Sequence, residues 1–253
     1  MNYLGFKTLY KKEVRRFLKV YNQTIIAPMV NSLLFLAIFS LALGDRVKDV
    51  SGIPFQQFMV PGLIMMTIVQ NAFANTSSSF IMGKVLGTII DYLIPPISAG
   101  EMTLAMVLGG ITRGICAGLS VAVAASFFVE ISIHNFWLLI FYAIFASALL
   151  ATLGLLAGIF AETFDQMAAI TSYIITPLAF LSGTFYSINN LPQFWQYVSH
   201  ANPFFYMIDG FRYSMTGHHD GNLATGMSVI IIANILLFAI TYKLVKAGYR
   251  IKS

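Results

Sequence analysis

Apolar residues in this chain come in long unbroken runs, with the polar and charged residues gathered between them. A helix needs about 20 mostly apolar residues to cross the hydrocarbon layer of a bilayer. Six runs reach that length: 24–43, 57–78, 103–129, 136–160, 167–186 and 226–245. In lipid only helices and closed barrels satisfy every backbone polar group, so runs of this length read as membrane-spanning helices. The pattern predicts an all-α integral membrane protein with six transmembrane helices. No repeat and no Pro/Gly/Ser-rich linker divides it, so residues 1–253 read as a single transmembrane domain. The first run follows a basic stretch, and Ala42-Leu43-Gly44 resembles a cleavage site. It is longer than the roughly 7–15 residues of a secretory signal core, and further spans follow it, so it is expected to be retained.

Segment 1–23 keeps a different period. Plotted at about 100° per residue, Tyr3, Phe6, Tyr10, Val14, Phe17 and Tyr21 share one face, opposite Lys7, Lys11, Lys12, Arg15, Arg16 and Lys19. This predicts an amphipathic interfacial helix along the cytoplasmic leaflet. Its basic interface, Lys11, Lys12, Arg15 and Arg16, would lie near anionic membrane lipids.

Composition supports the membrane class. The chain is 58% hydrophobic and 10% charged, against about 25% charged residues in soluble domains. Its net charge of +5 could suggest nucleic acid, but the cations collect at the ends of the apolar runs. With six spans and an inner N-terminus, eleven Lys/Arg fall on inner segments, counting Lys243 at the inner end of the last run. Three (Arg46, Lys48, Arg212) fall on outer ones, and Arg113 lies within a span. That bias places both termini in the cytoplasm. A lone Cys116 rules out a disulfide framework.

Gly110, Gly114 and Gly118 recur every four residues in the third run, and Gly154 and Gly158 do so in the fourth. This spacing lets membrane helices approach closely. Arg113 sits inside the first ladder as an intramembrane charge and is expected to face protein or a wet cavity. Few other ionisable residues fall at that depth, which disfavours an ion-coupled secondary transporter or channel working without ATP. No G-x-x-x-x-G-K-[ST] loop occurs, so no nucleotide site is expected on this chain. His218-His219-Asp220 reads as a polar external loop rather than a metal centre. No catalytic, cofactor or metal residues are assigned.

Two segments between runs stand out. Segment 84–98 begins at Lys84 and contains Val85 to Leu93, a candidate short helix stopped by Pro95-Pro96. Ser98 and Glu101 then carry capping-box spacing for a new helix. A rigid protrusion of this kind can transmit force from a soluble partner. The other segment follows Pro177, a helix-kinking residue in the fifth run. The sequence LSGTFYSINNLPQFWQYVSH is too polar to span and too apolar for a solvent loop. Ser182-Gly183 ends a helix there. Leu191, Phe194, Trp195 and Val198 suit a short helix dipping into the membrane boundary, before Asn202-Pro203 turns the chain.

The loop motif Gly87-Thr88-Ile89-Ile90-Asp91-Tyr92-Leu93, Pro95-Pro96-Ile97-Ser98 and Glu101 resembles that of the permease subunits of ABC-2-type exporters. So do Phe58-Met59-Val60-Pro61-Gly62-Leu63, Thr176-Pro177-Leu178, Leu181-Ser182-Gly183, Phe185-Tyr186, Leu191-Pro192, Trp195, Asn202-Pro203 and Gly210-Phe211-Arg212. The likeness covers nearly the whole chain and is nearest to compact bacterial drug, lipid and lipooligosaccharide exporters. It implies a half-transporter in the plasma (inner) membrane of a bacterium. Two permease copies would pair with two separate ABC ATPase subunits, which would hold ATP and Mg. Segment 84–98 becomes the coupling loop with its short cytoplasmic helix; Lys84, Gly87, Thr88, Asp91, Tyr92, Pro95, Ser98 and Glu101 are the coupling candidates. Ile90 stands where the family often has an acidic residue. Segment 187–212 becomes a re-entrant helical hairpin between the fifth and sixth helices. The outer gate implied comprises Pro177, Ser182, Gly183, Phe185, Tyr186, Pro192, Trp195, Asn202 and Pro203. The cargo implied is a hydrophobic or amphipathic solute.

Overall fold

The fold is taken from a computed structural model that describes residues 2–43, 49–50 and 52–250. Arg46 and Lys48, used in the charge count, lie outside these. The described residues are almost wholly helical. In chain order they form α1 (Tyr3–Lys19), α2 (Ala27–Leu43), the two-residue strands β1 (Asp49–Val50) and β2 (Ile53–Pro54), α3 (Phe55–Val85), α4 (Ile90–Leu93), α5 (Ala99–Ala125) and α6 (Phe136–Phe160). Then come α7 (Phe164–Ile170), α8 (Thr176–Phe180), α9 (Gln193–Ala201), α10 (Pro203–Thr216) and α11 (Leu223–Ala247).

Local chemistry sets the boundaries. The Ser98–Glu101 capping box starts α5: Ser98 Oγ accepts from the Glu101 N–H at 3.3 Å, and Glu101 Oε2 accepts from the Ser98 N–H at 2.8 Å. Asn135, Thr163, Asn202 and Asn222 cap α6, α7, α10 and α11 with a single bond each, the side-chain oxygen accepting from a backbone N–H of the first turn. Gly217 and Gly248, both at positive φ, close α10 and α11, a conformation that favours glycine.

Five helices, Asn22–Ala42, Phe55–Val85, Ala99–Ala125, Phe136–Phe160 and Leu223–Ala247, are long and apolar enough to cross a membrane. The fifth apolar run, expected at 167–186, is a shorter composite. α7 passes through a π-helical turn (Thr171–Ile175) into α8, and the helix stops at Phe180. Pro177 sits in the first turn of α8. The π turn just before it widens the ladder where proline can neither donate nor fit the preceding carbonyl. A second π turn (Asn22–Ile26) joins α1 to α2.

α3 is the central helix. It packs most extensively on α5 and α6, while α2 and α11 leave most of their apolar surface exposed. The two glycine ladders make this packing possible. A Cβ on Gly110 would lie 3.1 Å from the Ala72 carbonyl, and one on Gly114 would strike Ile68. At Gly154 it would collide with the Phe73 carbonyl and the Thr76 hydroxyl. Both ladders therefore face α3 of the same chain. Gly154→Val is expected to destabilise the bundle by about 1–3 kcal/mol through overpacking. Thermal unfolding of the detergent-solubilised protein should show this as a lowered midpoint; an unchanged midpoint would contradict the packing assignment.

Candidate functional site

At one end of the bundle, α1 and the 86–98 loop clasp the start of α5. Gly87 takes φ +70° after α3, and the Ile89 N–H donates back to the Gly83 carbonyl at 2.9 Å. The helix expected over 85–93 is therefore broken by a turn, leaving only α4. Ile89 and Tyr92 point inward, whereas Thr88, Ile90, Asp91 and Ile94 are exposed. The Lys12 ammonium lies 3.9 Å from the Tyr92 ring centroid, a cation–π contact. Asn2 Nδ2 donates to the Pro96 carbonyl at 3.2 Å, and the Asn2 N–H donates to Glu101 Oε1 at 2.6 Å. Ile97 covers Gly5. Pro95 closes the loop by accepting from the Ile97 N–H at 2.7 Å. Loop and α1 thus move as one piece unless these contacts break.

Lys84 does something the sequence pattern did not suggest. Its ammonium donates to the carbonyls of Ile159 (2.9 Å) and Ala161 (2.6 Å), neutralising the end of α6. It turns inward, away from the exposed loop face.

α1 also departs from the expected face. Its buried stripe is Leu9, Glu13 and Phe17, while Tyr3 and Tyr21 are exposed. Glu13, fully buried, accepts from Ser79 Oγ at 2.7 Å and from Asn75 Nδ2 at 3.4 Å, and pairs with Arg16 at 3.1 Å. Arg16 also donates to the Asn75 carbonyl (2.6 Å) and to Ser78 Oγ (3.2 Å). The helix is therefore keyed into α3 by polar contacts rather than laid on a surface by aromatics alone. Lys11, Lys12 and Arg15 stay exposed, but Arg16 belongs to this internal cluster. Deeper in the bundle, Arg113 Nη2 reaches Asn71 Oδ1 at 3.4 Å.

The opposite end is a buried polar knot. Ser182, Gly183 and Thr184 are inaccessible, with Gly183 at φ +75°. Arg212, 1% exposed, donates from Nη2 to the Gly183 carbonyl at 2.6 Å and from Nε to the Phe58 carbonyl at 3.2 Å. Its guanidinium also stacks 3.8 Å from the Phe58 centroid. Counted from sequence as an outer surface charge, it is an interior staple. The Asp220 carboxylate accepts from Ser187 Oγ (2.9 Å), the Ile188 N–H (3.1 Å) and Asn189 Nδ2 (3.2 Å), and meets His218 Nε2 at 3.1 Å. Asp209 in turn accepts from the N–H groups of Asp220 (2.7 Å) and Gly221 (2.9 Å).

The expected gate residues gather around this knot. Asn202 Nδ2 holds the Leu178 carbonyl at 2.7 Å, just beyond Pro177, and Pro203 opens α10. Phe185 stacks on Phe39 of α2 with centroids 4.8 Å apart, and the Tyr186 hydroxyl donates to the Phe180 carbonyl at 3.3 Å. Pro192 precedes α9, which exposes Phe194, Trp195 and Tyr197. Sequence reasoning missed Glu13, Asn75, Asp209 and Asp220. For Glu13 and Asp209 the available signal was an acidic residue inside an otherwise apolar or basic periodic stretch.

A bundle of long apolar helices with one basic end and a buried polar knot at the other defines a multi-pass membrane protein. Residues 5–216 match the family described as ABC-2 type transporter. The chain is 36% identical to the inner membrane transport permease YadH of Escherichia coli (strain K12), covering 99% of this chain and 98% of that protein. It is 22% identical to nodulation protein J of Rhizobium leguminosarum bv. viciae, over 96% and 94% of the two chains. This chain belongs to the ABC-2 type transporter family and is a membrane permease. Family membership implies a partner ABC ATPase subunit.

Proposed function

We propose that this chain is the permease subunit of an ATP-driven exporter. In this reading it sits in a bacterial inner membrane with both termini cytoplasmic, and 164–180 serves as the remaining one of six spans. Two copies assemble with two ATPase subunits that hold ATP and Mg, and the cargo is hydrophobic or amphipathic. The observation that carries the reading is the clasp between α1 and the 86–98 loop. It presents Thr88, Ile90, Asp91 and Ile94 outward while Tyr92 holds the loop to α1 through Lys12 and Asn2 ties α1 to Glu101 of α5. An exposed face on a rigidly tethered loop can take up a partner's motion and pass it to α5 directly and to α3 through Glu13. Segment 181–203, held by Arg212 and Asp220, then acts as the outer gate.

The test replaces only exposed loop residues. Ile90→Asp combined with Ile94→Asp is expected to reduce ATPase copurification about tenfold or more, because each apolar side chain otherwise contributes roughly 1.5–3 kcal/mol when buried. ATP turnover of the reconstituted complex should fall in parallel. If the double variant keeps its ATPase and its turnover, the coupling assignment is wrong.

A further inference from the structure

The exposed face of α1 carries a block of positive charge that the chain itself does not balance. Lys11, Arg15 and Lys19 recur every four residues along one ridge, and Lys12 stands beside them. A groove of about 870 Å³ runs over these four side chains with Arg16 at its edge, and their methylene stems form its walls. Among the described residues no carboxylate lies within ion-pair distance of any of the four. Glu13, the one acid on α1, is fully buried and held by Ser79, Asn75 and Arg16.

Depth decides which anion meets this face. α3 begins at Phe55, at the end of the bundle opposite α1, and Asn75 lies 20 residues further along it. That is about 30 Å of helix, one hydrocarbon thickness. Glu13 and Arg16 both bond to Asn75, and Glu13 also packs on Gly109 of α5. The clamp therefore fixes the middle of α1 at the hydrocarbon boundary, where lipid headgroups lie. Leu18 and Tyr21, exposed at the end of α1 that leads into α2, suit the adjoining acyl region. A soluble acidic protein would have to displace headgroups to reach this depth, whereas lipid phosphates are already there.

We propose that this basic face of α1 binds the phosphate headgroups of anionic phospholipids, and that bound lipid loosens the tip of the 86–98 loop. The link is Lys12, which belongs to the basic face and also lies 3.9 Å from the centroid of the Tyr92 ring. One ammonium cannot be centred on the ring and fully engaged by a phosphate at once. The charge-assisted bond to phosphate is favoured about tenfold over an exposed cation–π contact. Anionic lipid thus draws Lys12 off Tyr92 and leaves the loop to the Asn2–Pro96 and Gly5–Ile97 contacts. As a control on transport this rests on the export reading; lipid binding and loop mobility do not.

Both are therefore measured on the purified permease. Phosphatidylglycerol and phosphatidylcholine with identical acyl chains are offered in equal amounts, and the lipid retained after detergent washing is quantified by native mass spectrometry. The wild type is expected to retain phosphatidylglycerol about tenfold over phosphatidylcholine, since each cation near the surface favours anionic lipid about fivefold. The double variant Lys11→Gln/Arg15→Gln changes two exposed side chains and should bring the ratio close to one. Lys243→Gln/Lys246→Gln removes as much charge from α11 at the same end of the bundle and should keep the preference. No preference in the wild type, or equal losses in the two double variants, would overturn the site. A Lys11→Gln/Arg15→Gln protein that keeps its lipid but no longer copurifies with the ATPase would also overturn it, making α1 a protein-docking face. Loop mobility is read by hydrogen exchange in nanodiscs of either lipid. Amides of 88–94 should exchange about threefold faster in phosphatidylglycerol for the wild type, and Lys12→Gln should show the faster rate in both lipids. Equal wild-type rates in the two lipids would break the link between lipid and loop.

Discussion

Replacing Arg212 with alanine is expected to unfold segment 181–203 and keep the protein from accumulating. The guanidinium donates to the backbone carbonyls of Phe58 and Gly183, and it also covers the Phe58 ring. Leaving a buried acceptor unpaired costs about 1–3 kcal/mol, and the emptied volume adds a cavity cost. Together these suggest a loss of about 4 kcal/mol or more, a large part of the 5–15 kcal/mol that holds a typical domain. Arg212→Lys keeps a charge but loses the planar fork that serves two carbonyls in different directions, so an intermediate loss is expected. Thermal unfolding of the detergent-solubilised protein reads both. A variant Arg212→Ala that melts within a degree or two of wild type would show that the staple contributes little.

The second large effect is expected at Glu13. Removing one partner of a buried ion pair costs about 3–5 kcal/mol, because the other charge is left uncompensated. Glu13→Ala strips Ser79 and Asn75 of their acceptor as well, and frees α1 from α3. Stability should fall by that amount. On the proposed export reading, ATP turnover of the complex should also lose its dependence on cargo, since the clasp no longer grips α3. Arg16→Ala alone should cost less, as Arg16 is partly exposed. The double variant should be more stable than the sum of the single losses predicts, and the difference measures the pair. Additive losses would mean that the two side chains act independently.

The capping signals show how far local sequence reaches. Ser98 and Glu101 form the box their spacing predicts, because a cap involves atoms three residues apart on one chain segment. Thr163 caps α7 by accepting from the Gln166 N–H, while the Gln166 side-chain oxygen accepts from the Glu162 N–H. The fifth apolar run was legible as a helix disturbed at Pro177, but neither the π turn before that proline nor the stop at Phe180 was. The aromatic face drawn for α1 held only in part: Phe17 is buried and Phe6 and Tyr10 pack inward, but Tyr3 and Tyr21 are exposed and Glu13 joins the buried stripe. A helical wheel ranks side chains by hydropathy, and a carboxylate buried against Ser79 and Asn75 is invisible to that ranking.

The sequence by itself determined the membrane class, most helix positions, the basic end and the loop that interrupts it. These follow from run length, periodicity and capping, all of which are properties of neighbouring residues. Tertiary structure alone decided which polar groups meet. Glu13 lies 66 positions from Ser79, Lys84 lies 77 from Ala161, and Arg212 lies 154 from Phe58. In a dry interior a polar group is tolerated only where a partner of complementary charge or hydrogen-bonding capacity stands opposite. Which residue stands opposite is set by helix packing, and in this bundle by glycines that bring α5 and α6 against the backbone of α3.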